Sequence, residues 1–175
     1  DVYHYANYAL AYAAFRNDNY NTAANYFERF LAGGGKDGIE LNTKNDAIAR
    51  LADSYFASKN YSRALSYYDR LISSNAQSQD YALFQRGIIQ GLQGNNEAKI
   101  ATLNSVIAKY PKSNYADDVA FEIPYTYFMT NQYDKAIEGL QSMVEKYPRS
   151  SYVPRALLTI GLVQYNQDNT DGARA

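Results

Sequence analysis

The chain has 175 residues, 46% of them hydrophobic and 20% charged, with 17 basic against 18 acidic side chains. Such a composition belongs to a folded chain and excludes a disordered one. The near-balanced charge gives no electrostatic reason to expect nucleic acid as a partner, and the lack of cysteine excludes disulfides and thiolate metal sites.

No apolar run approaches the roughly 20 residues that a membrane-spanning helix needs. No signal-peptide pattern is present, and the chain starts and stops inside helical patterns, as expected of a segment trimmed from a longer protein. There are 19 tyrosines and no tryptophan. A tyrosine has an apolar ring and a polar tip, so most of them are expected to fill the large half-buried slots of a helical repeat.

In chain order, the first clear element is Tyr20-Asn21-Thr22-Ala23-Ala24-Asn25-Tyr26-Phe27. Tyr61-Ser62-Arg63-Ala64-Leu65-Ser66-Tyr67-Tyr68 repeats its pattern, and so does the segment Tyr133 to Leu140. The first two read aromatic, small, aromatic, and the third aromatic, small, leucine, at the period of an amphipathic helix. A turn signal precedes each one: Asn17-Asp18-Asn19, Ser58-Lys59-Asn60, Gly94-Asn95-Asn96, Thr130-Asn131-Gln132 and Asp168-Asn169. These residues tolerate the geometry that ends one helix and starts the next. Between the first two copies lies the glycine stretch Gly33 to Gly38. Its spacing does not fit a phosphate-binding loop, and it reads as a lengthened link.

Lys109-Tyr110-Pro111-Lys112-Ser113-Asn114-Tyr115 returns as Lys146-Tyr147-Pro148-Arg149-Ser150-Ser151-Tyr152, a period of 37 residues from Pro111 to Pro148. Self-similarity at this period predicts stacked supersecondary units. The small-residue anchors are Ala23, Ala64, Lys99, Ala136 and Ala173. Lys99 is out of place where two helices cross closely. Either its chain snorkels outward, or the helix is rotated and Ala98 takes the slot. Pro124 falls inside a predicted helix and is expected to kink it.

No catalytic constellation emerges. His4 is the only histidine, which excludes a paired-histidine metal site, and no cofactor is expected. Asp117-Asp118 reads as the acidic start of a helix. Asn60-Tyr61-Ser62 fits a glycosylation acceptor but falls in a repeat turn.

With these motifs in place, the chain resembles a tetratricopeptide repeat array. The carriers are Leu10-Ala11, Ala23 and Phe27 in the first unit, and Leu51-Ala52, Tyr55, Ala64 and Tyr68 in the second. Gly87 and Pro111 follow in the third, Ile123, Tyr127, Ala136 and Pro148 in the fourth, and Ile160-Gly161 in the fifth. The resemblance implies an all-α fold, a right-handed superhelical solenoid of antiparallel helix pairs with about nine or ten helices. It implies one array over 1–175, with repeats near 4–37, 45–78, 80–113, 117–150 and a truncated 154–175.

The resemblance further implies that the first helix of each unit lines a concave groove. The candidate partner-binding residues are then Tyr8, Tyr12 and Phe15, Arg50 and Asp53, Tyr81 and Phe84, Phe121, Glu122, Tyr125 and Phe128, and Tyr165. Phe84, Phe121, Tyr125 and Phe128 are expected to form one aromatic strip. The Tyr-Pro-Lys/Arg-Ser phrase resembles the repeat domains of BamD-like outer-membrane assembly lipoproteins and YbgF/CpoB-like coordinators. That implies a non-catalytic adaptor, periplasmic or associated with the outer membrane, that binds a protein or peptide segment. The alternative is carbohydrate binding, as in SusD-like repeat proteins.

Overall fold

The computed structural model describes residues 2–33, 39–74 and 78–172, so most of the glycine stretch, and Ala173, lie outside the described residues. Every regular element among them is a helix. The chain divides into two compact units, residues 1–89 and 90–175.

The first unit holds α1 (Val2–Arg16), α2 (Tyr20–Ala32), α3 (Leu41–Ala57), α4 (Tyr61–Ser73) and most of α5 (Gln79–Leu92). Helices α1 and α2 run antiparallel, and their aromatic contacts show the register. His4 stacks on Phe30, Tyr8 meets Phe27 and Phe30, Tyr12 meets Phe27, and Phe15 meets Tyr20. Helix α3 packs on α1, α2 and α4. The core between them holds Phe27, Phe30, Leu51, Tyr68 and Leu71, all fully buried.

The second unit holds α6 (Asn96–Lys109), α7 (Ala116–Met129), α8 (Tyr133–Lys146) and α9 (Val153–Gly172). Phe121, Leu140, Met143, Ala156 and Ile160 form one of its core clusters. Ala23, Ala64 and Ala136 are fully buried, as residues at close helix crossings must be.

The turns explain the spacing of the repeats. Asp18, Lys59, Gly94 and Asn131 occupy the left-handed region, with φ of 56°, 61°, 80° and 59°. Each is followed at once by a cap. Asn19, Asn60 and Asn95 accept the backbone N–H three residues on, at 3.4, 3.3 and 3.2 Å. That bond satisfies one of the orphan donors at a helix start. The Asn60 carboxamide of the glycosylation-like triplet is therefore a cap.

The recurrent seven-residue phrase is one local structure used twice. Tyr110 and Tyr147 end α6 and α8 with nearly equal backbone angles. Ser113 and Ser150 then donate their N–H groups back to those tyrosine carbonyls at 2.9 and 3.0 Å. Their hydroxyls accept from the N–H groups of Tyr115 and Tyr152.

Three expectations need correction or completion. The turn expected at Asp168-Asn169 does not form, because α9 runs through it to Gly172. Asp and Asn permit a left-handed turn without imposing one. Lys99 does not snorkel outward. Its side chain is 11% exposed and its Nζ donates to Glu122 Oε2 at 2.6 Å. Gly91 makes the room, since a Cβ there would meet Lys99 Cδ at 2.7 Å. The chain stays helical through Pro124, which is buried against Gly139.

Candidate functional site on the first-helix face

In the first unit, the polar tips of α1, α3, α4 and α5 join into one line of hydrogen bonds and ion pairs. Tyr8 Oη donates to Asp46 Oδ2 at 2.6 Å, and Tyr12 Oη donates to the same oxygen. Asp46 Oδ1 lies 3.7 Å from Arg50 Nε. Arg50 Nη1 donates to Asp53 Oδ2 at 2.5 Å. Asp53 Oδ1 accepts from Tyr68 at 2.7 Å and from Tyr81 at 2.6 Å. Gln85 Nε2 closes the chain on the Tyr81 oxygen.

Helical spacing produces this line. Tyr8 and Tyr12 are four apart on α1, Asp46, Arg50 and Asp53 lie on one side of α3, and Tyr81 and Gln85 are four apart on α5. Burial pushes the Tyr8, Tyr12, Tyr68 and Tyr81 phenols up, and the neighbouring carboxylates push them further. They remain neutral donors. Asp53 is pushed above the usual carboxylate range because burial outweighs its phenol partners and Arg50.

Two carboxylates share one guanidinium here, so the network is acidic on balance. Arg50 is also held over the Phe15 ring, 5.9 Å from its centroid. A guanidinium committed in this way does not clamp a carboxylate. What the face carries is carboxylate and phenol oxygens beside aromatic edges.

In the second unit, Phe121 stacks between Tyr125 and Tyr152, with centroids at 5.3 and 4.7 Å. Tyr152 Oη donates to Asp118 Oδ1 at 2.9 Å, and burial with this carboxylate pushes its phenol up to about 12. Arg155 lies over Tyr125, 4.4 Å from the centroid, and over Phe121. Phe128 tilts against Tyr125 and Tyr133. Glu122 is committed to Lys99. Tyr165 is exposed, in helical register with Leu158 and Leu162.

Two of the expected contact residues therefore change place. Phe121 is fully buried and Phe84 nearly so. Neither ring presents an open surface, and Phe121 packs in the core with Leu140, Met143, Ala156 and Ile160. Phe84 belongs to the first unit, whereas Phe121, Tyr125 and Phe128 belong to the second.

Sequence reasoning missed Tyr68 and Tyr152, which were read only as repeat-slot residues, although each supplies a phenol to a carboxylate. It also missed a second cluster, in which Tyr55 Oη donates to Glu28 Oε1 at 2.6 Å and accepts from Arg63 at the same distance. Spacing along one helix carries no signal for such contacts between helices.

A family model described as outer membrane lipoprotein, YfiO, matches residues 83–174, more than half of the chain. The chain belongs to this family. A tetratricopeptide repeat model matches residues 49–114, and the helix pairs are repeats of that kind. No curated protein matches the chain.

Among solved structures, MamA from Desulfovibrio magneticus RS-1 superposes with a TM-score of 0.73 at 15% identity, covering 98% of this chain and 89% of that one. YrrB, described as a TPR protein with an unusual peptide-binding site, has a TM-score of 0.67 at 21% identity, covering 86% and 72%. A putative kinesin light chain from Podospora anserina with nearly identical TPR-like repeats gives 0.67 at 17%, covering 97% and 92%. At these identities the likeness is one of fold. No helix among the described residues is long and apolar enough to cross a membrane.

Proposed function

We propose that this member of the outer membrane lipoprotein family is a non-catalytic adaptor of the bacterial cell envelope, periplasmic or tethered at the outer membrane. It holds a segment of a partner protein along its first-helix face. The observation that carries the reading is the line from Tyr8 and Tyr12 through Asp46, Arg50 and Asp53 to Tyr81. These side chains are held by one another before any ligand arrives, so little ordering remains to oppose binding. Phe15 lies beside that line. The first helices of the second unit carry aromatic residues of their own, Tyr125, Phe128 and Tyr165. Repeat solenoids use such faces for partners, and aromatic anchors dominate the energetics of such contacts.

The acidic balance of the network favours a segment rich in lysine, arginine or free backbone N–H groups. The near-neutral chain as a whole gives no electrostatic reason to expect nucleic acid. The test is site-specific photocrosslinking in bacterial cells from Phe15 and Phe128, with exposed Asn25 on α2 as control, beside a glycan array on the purified chain. Crosslinks to a protein from Phe15 and Phe128 but not from Asn25 are expected. Glycan binding without protein crosslinks would replace this reading with the carbohydrate one.

A further inference from the structure

A second surface lies on the far side of α3. A groove of about 470 Å³ runs between α3 and α4, with Leu41, Lys44 and Ile48 on one wall and Ser66, Asp69 and Arg70 on the other. Each wall is a helical stripe, since 41, 44 and 48 share one side of α3 while 66, 69 and 70 share one side of α4. At 100° per residue this stripe is centred about 170° around α3 from Asp46, Arg50 and Asp53. The groove and the first-helix network are separate surfaces.

The chemistry of the groove is the reverse of the network's. Leu41 is 63% exposed and Ile48 is buried beneath it, so the floor is apolar with an open edge. Asp69 is matched by Arg86, whose Nη1 lies 3.2 Å away. Lys44 and Arg70 have no carboxylate within ion-pair reach among the described residues. Arg70 rests over the Tyr67 ring, 5.2 Å from its centroid, which holds the guanidinium in place and leaves its N–H groups open. The groove thus combines an apolar floor with two unmatched positive charges.

We propose that this groove is a second docking site, and that its occupant is an acidic amphipathic helix of a partner protein. The charge excess selects against the donor-rich segment favoured on the first-helix face. Two facing walls, spaced i, i+3, i+7 on α3 and i, i+3, i+4 on α4, fit the helix-in-groove mode, in which apolar side chains seat on the floor. Carboxylates on the flanks of that helix reach Lys44 and Arg70. One unit thereby presents surfaces of opposite charge to two kinds of segment.

The probe is a synthetic peptide of about 20 residues, beyond the length at which isolated helices are marginal, with leucine at i, i+3, i+4 and i+7 and glutamate elsewhere. Its counterpart carries lysine in place of glutamate. Both are titrated into the isotope-labelled full chain and followed by amide shifts. The glutamate peptide is expected to perturb residues 41–48 and 66–74 and to bind about tenfold tighter than the lysine peptide.

The variant Lys44→Glu/Arg70→Glu is expected to lose about tenfold in affinity for it. Both positions are exposed, and an unchanged circular dichroism spectrum verifies folding. Leu41→Ser, which keeps both charges, is expected to weaken binding too. No binding of the glutamate peptide, equal binding of the lysine peptide, shifts centred on Asp46, Arg50 and Asp53, or unchanged affinity in the charge-reversed variant would each overturn the proposal.

Discussion

Gly139 is the complement of Pro124: a Cβ on the glycine would lie 2.6 Å from the proline Cβ, far inside contact distance. The proline ring thus occupies the space that a side chain of α8 would need. Two residues with poor helix propensity sit opposite each other and make one close crossing.

Gly139→Ala is therefore expected to destabilise the chain, although alanine is the better helix former by about 1 kcal/mol. Overpacking of this kind costs about 1–3 kcal/mol. Pro124→Gly removes the Cβ as well as the ring and opens the space, so the double variant Pro124→Gly/Gly139→Ala is expected to exceed Gly139→Ala in stability by more than the separate effect of Pro124→Gly. A denaturant double-mutant cycle reads that coupling, and additive effects would refute it.

Lys99 and Glu122 form a mostly buried ion pair, with side chains 11% and 19% exposed. Removing only the lysine leaves a carboxylate without its partner, and such losses reach about 3–5 kcal/mol. Lys99→Ala is expected to approach the lower end of that range, because some solvent reaches Glu122. Lys99→Met/Glu122→Leu is expected to recover much of the loss, since an apolar pair of similar volume often replaces a buried ion pair at little cost. Urea denaturation of both variants checks the order.

The caps give a local test. Asn60→Ala removes the acceptor for Arg63 N–H and is expected to cost about 1 kcal/mol. Gln132 holds the same position before α8 but makes no side-chain cap bond. Gln132→Asn is expected to stabilise α8 by up to about 1 kcal/mol. Hydrogen exchange of the first-turn amides of α4 and α8 reports the two changes separately.

Asp53 predicts a pH dependence. Its folded pKa lies above the unfolded one because of burial, so the native state takes up a proton that the unfolded chain does not hold. The resulting contribution to stability is fully present below the ordinary value, about 4, and is lost as pH rises through the raised folded value. The stability of the parent chain relative to Asp53→Asn is therefore expected to fall as pH rises from about 4 toward neutrality. The Asp53 carboxyl carbon, followed by NMR, is expected to titrate above the usual aspartate range. A flat difference between the two chains would contradict this assignment.

The repeat period was legible because it is local. Ala23, Ala64 and Ala136 each lie on the buried side of a helix whose pattern is written within a few neighbours, and Asn19, Asn60 and Asn95 cap the helix beginning at the next residue. Hydrogen bonds within the phrase Tyr110 to Tyr115 return in Tyr147 to Tyr152 for the same reason. The candidate face was legible in part. Tyr8, Tyr12, Arg50, Asp53 and Tyr81 were grouped by what the repeat resemblance implies for first helices, and the structure brings them into one network.

Tertiary structure decided which groups meet. Phase put Phe121 on the first-helix side but did not show that Tyr125 and Tyr152 would enclose it. Lys99 looked misplaced until Gly91 and Glu122, 8 and 23 residues away in sequence, were seen to receive it. Pro124 looked like a defect until Gly139 stood opposite. Periodicity records how each residue is oriented on its own helix, whereas burial, ion pairing and the open α3–α4 groove depend on the neighbouring helix, whose identity no local pattern encodes.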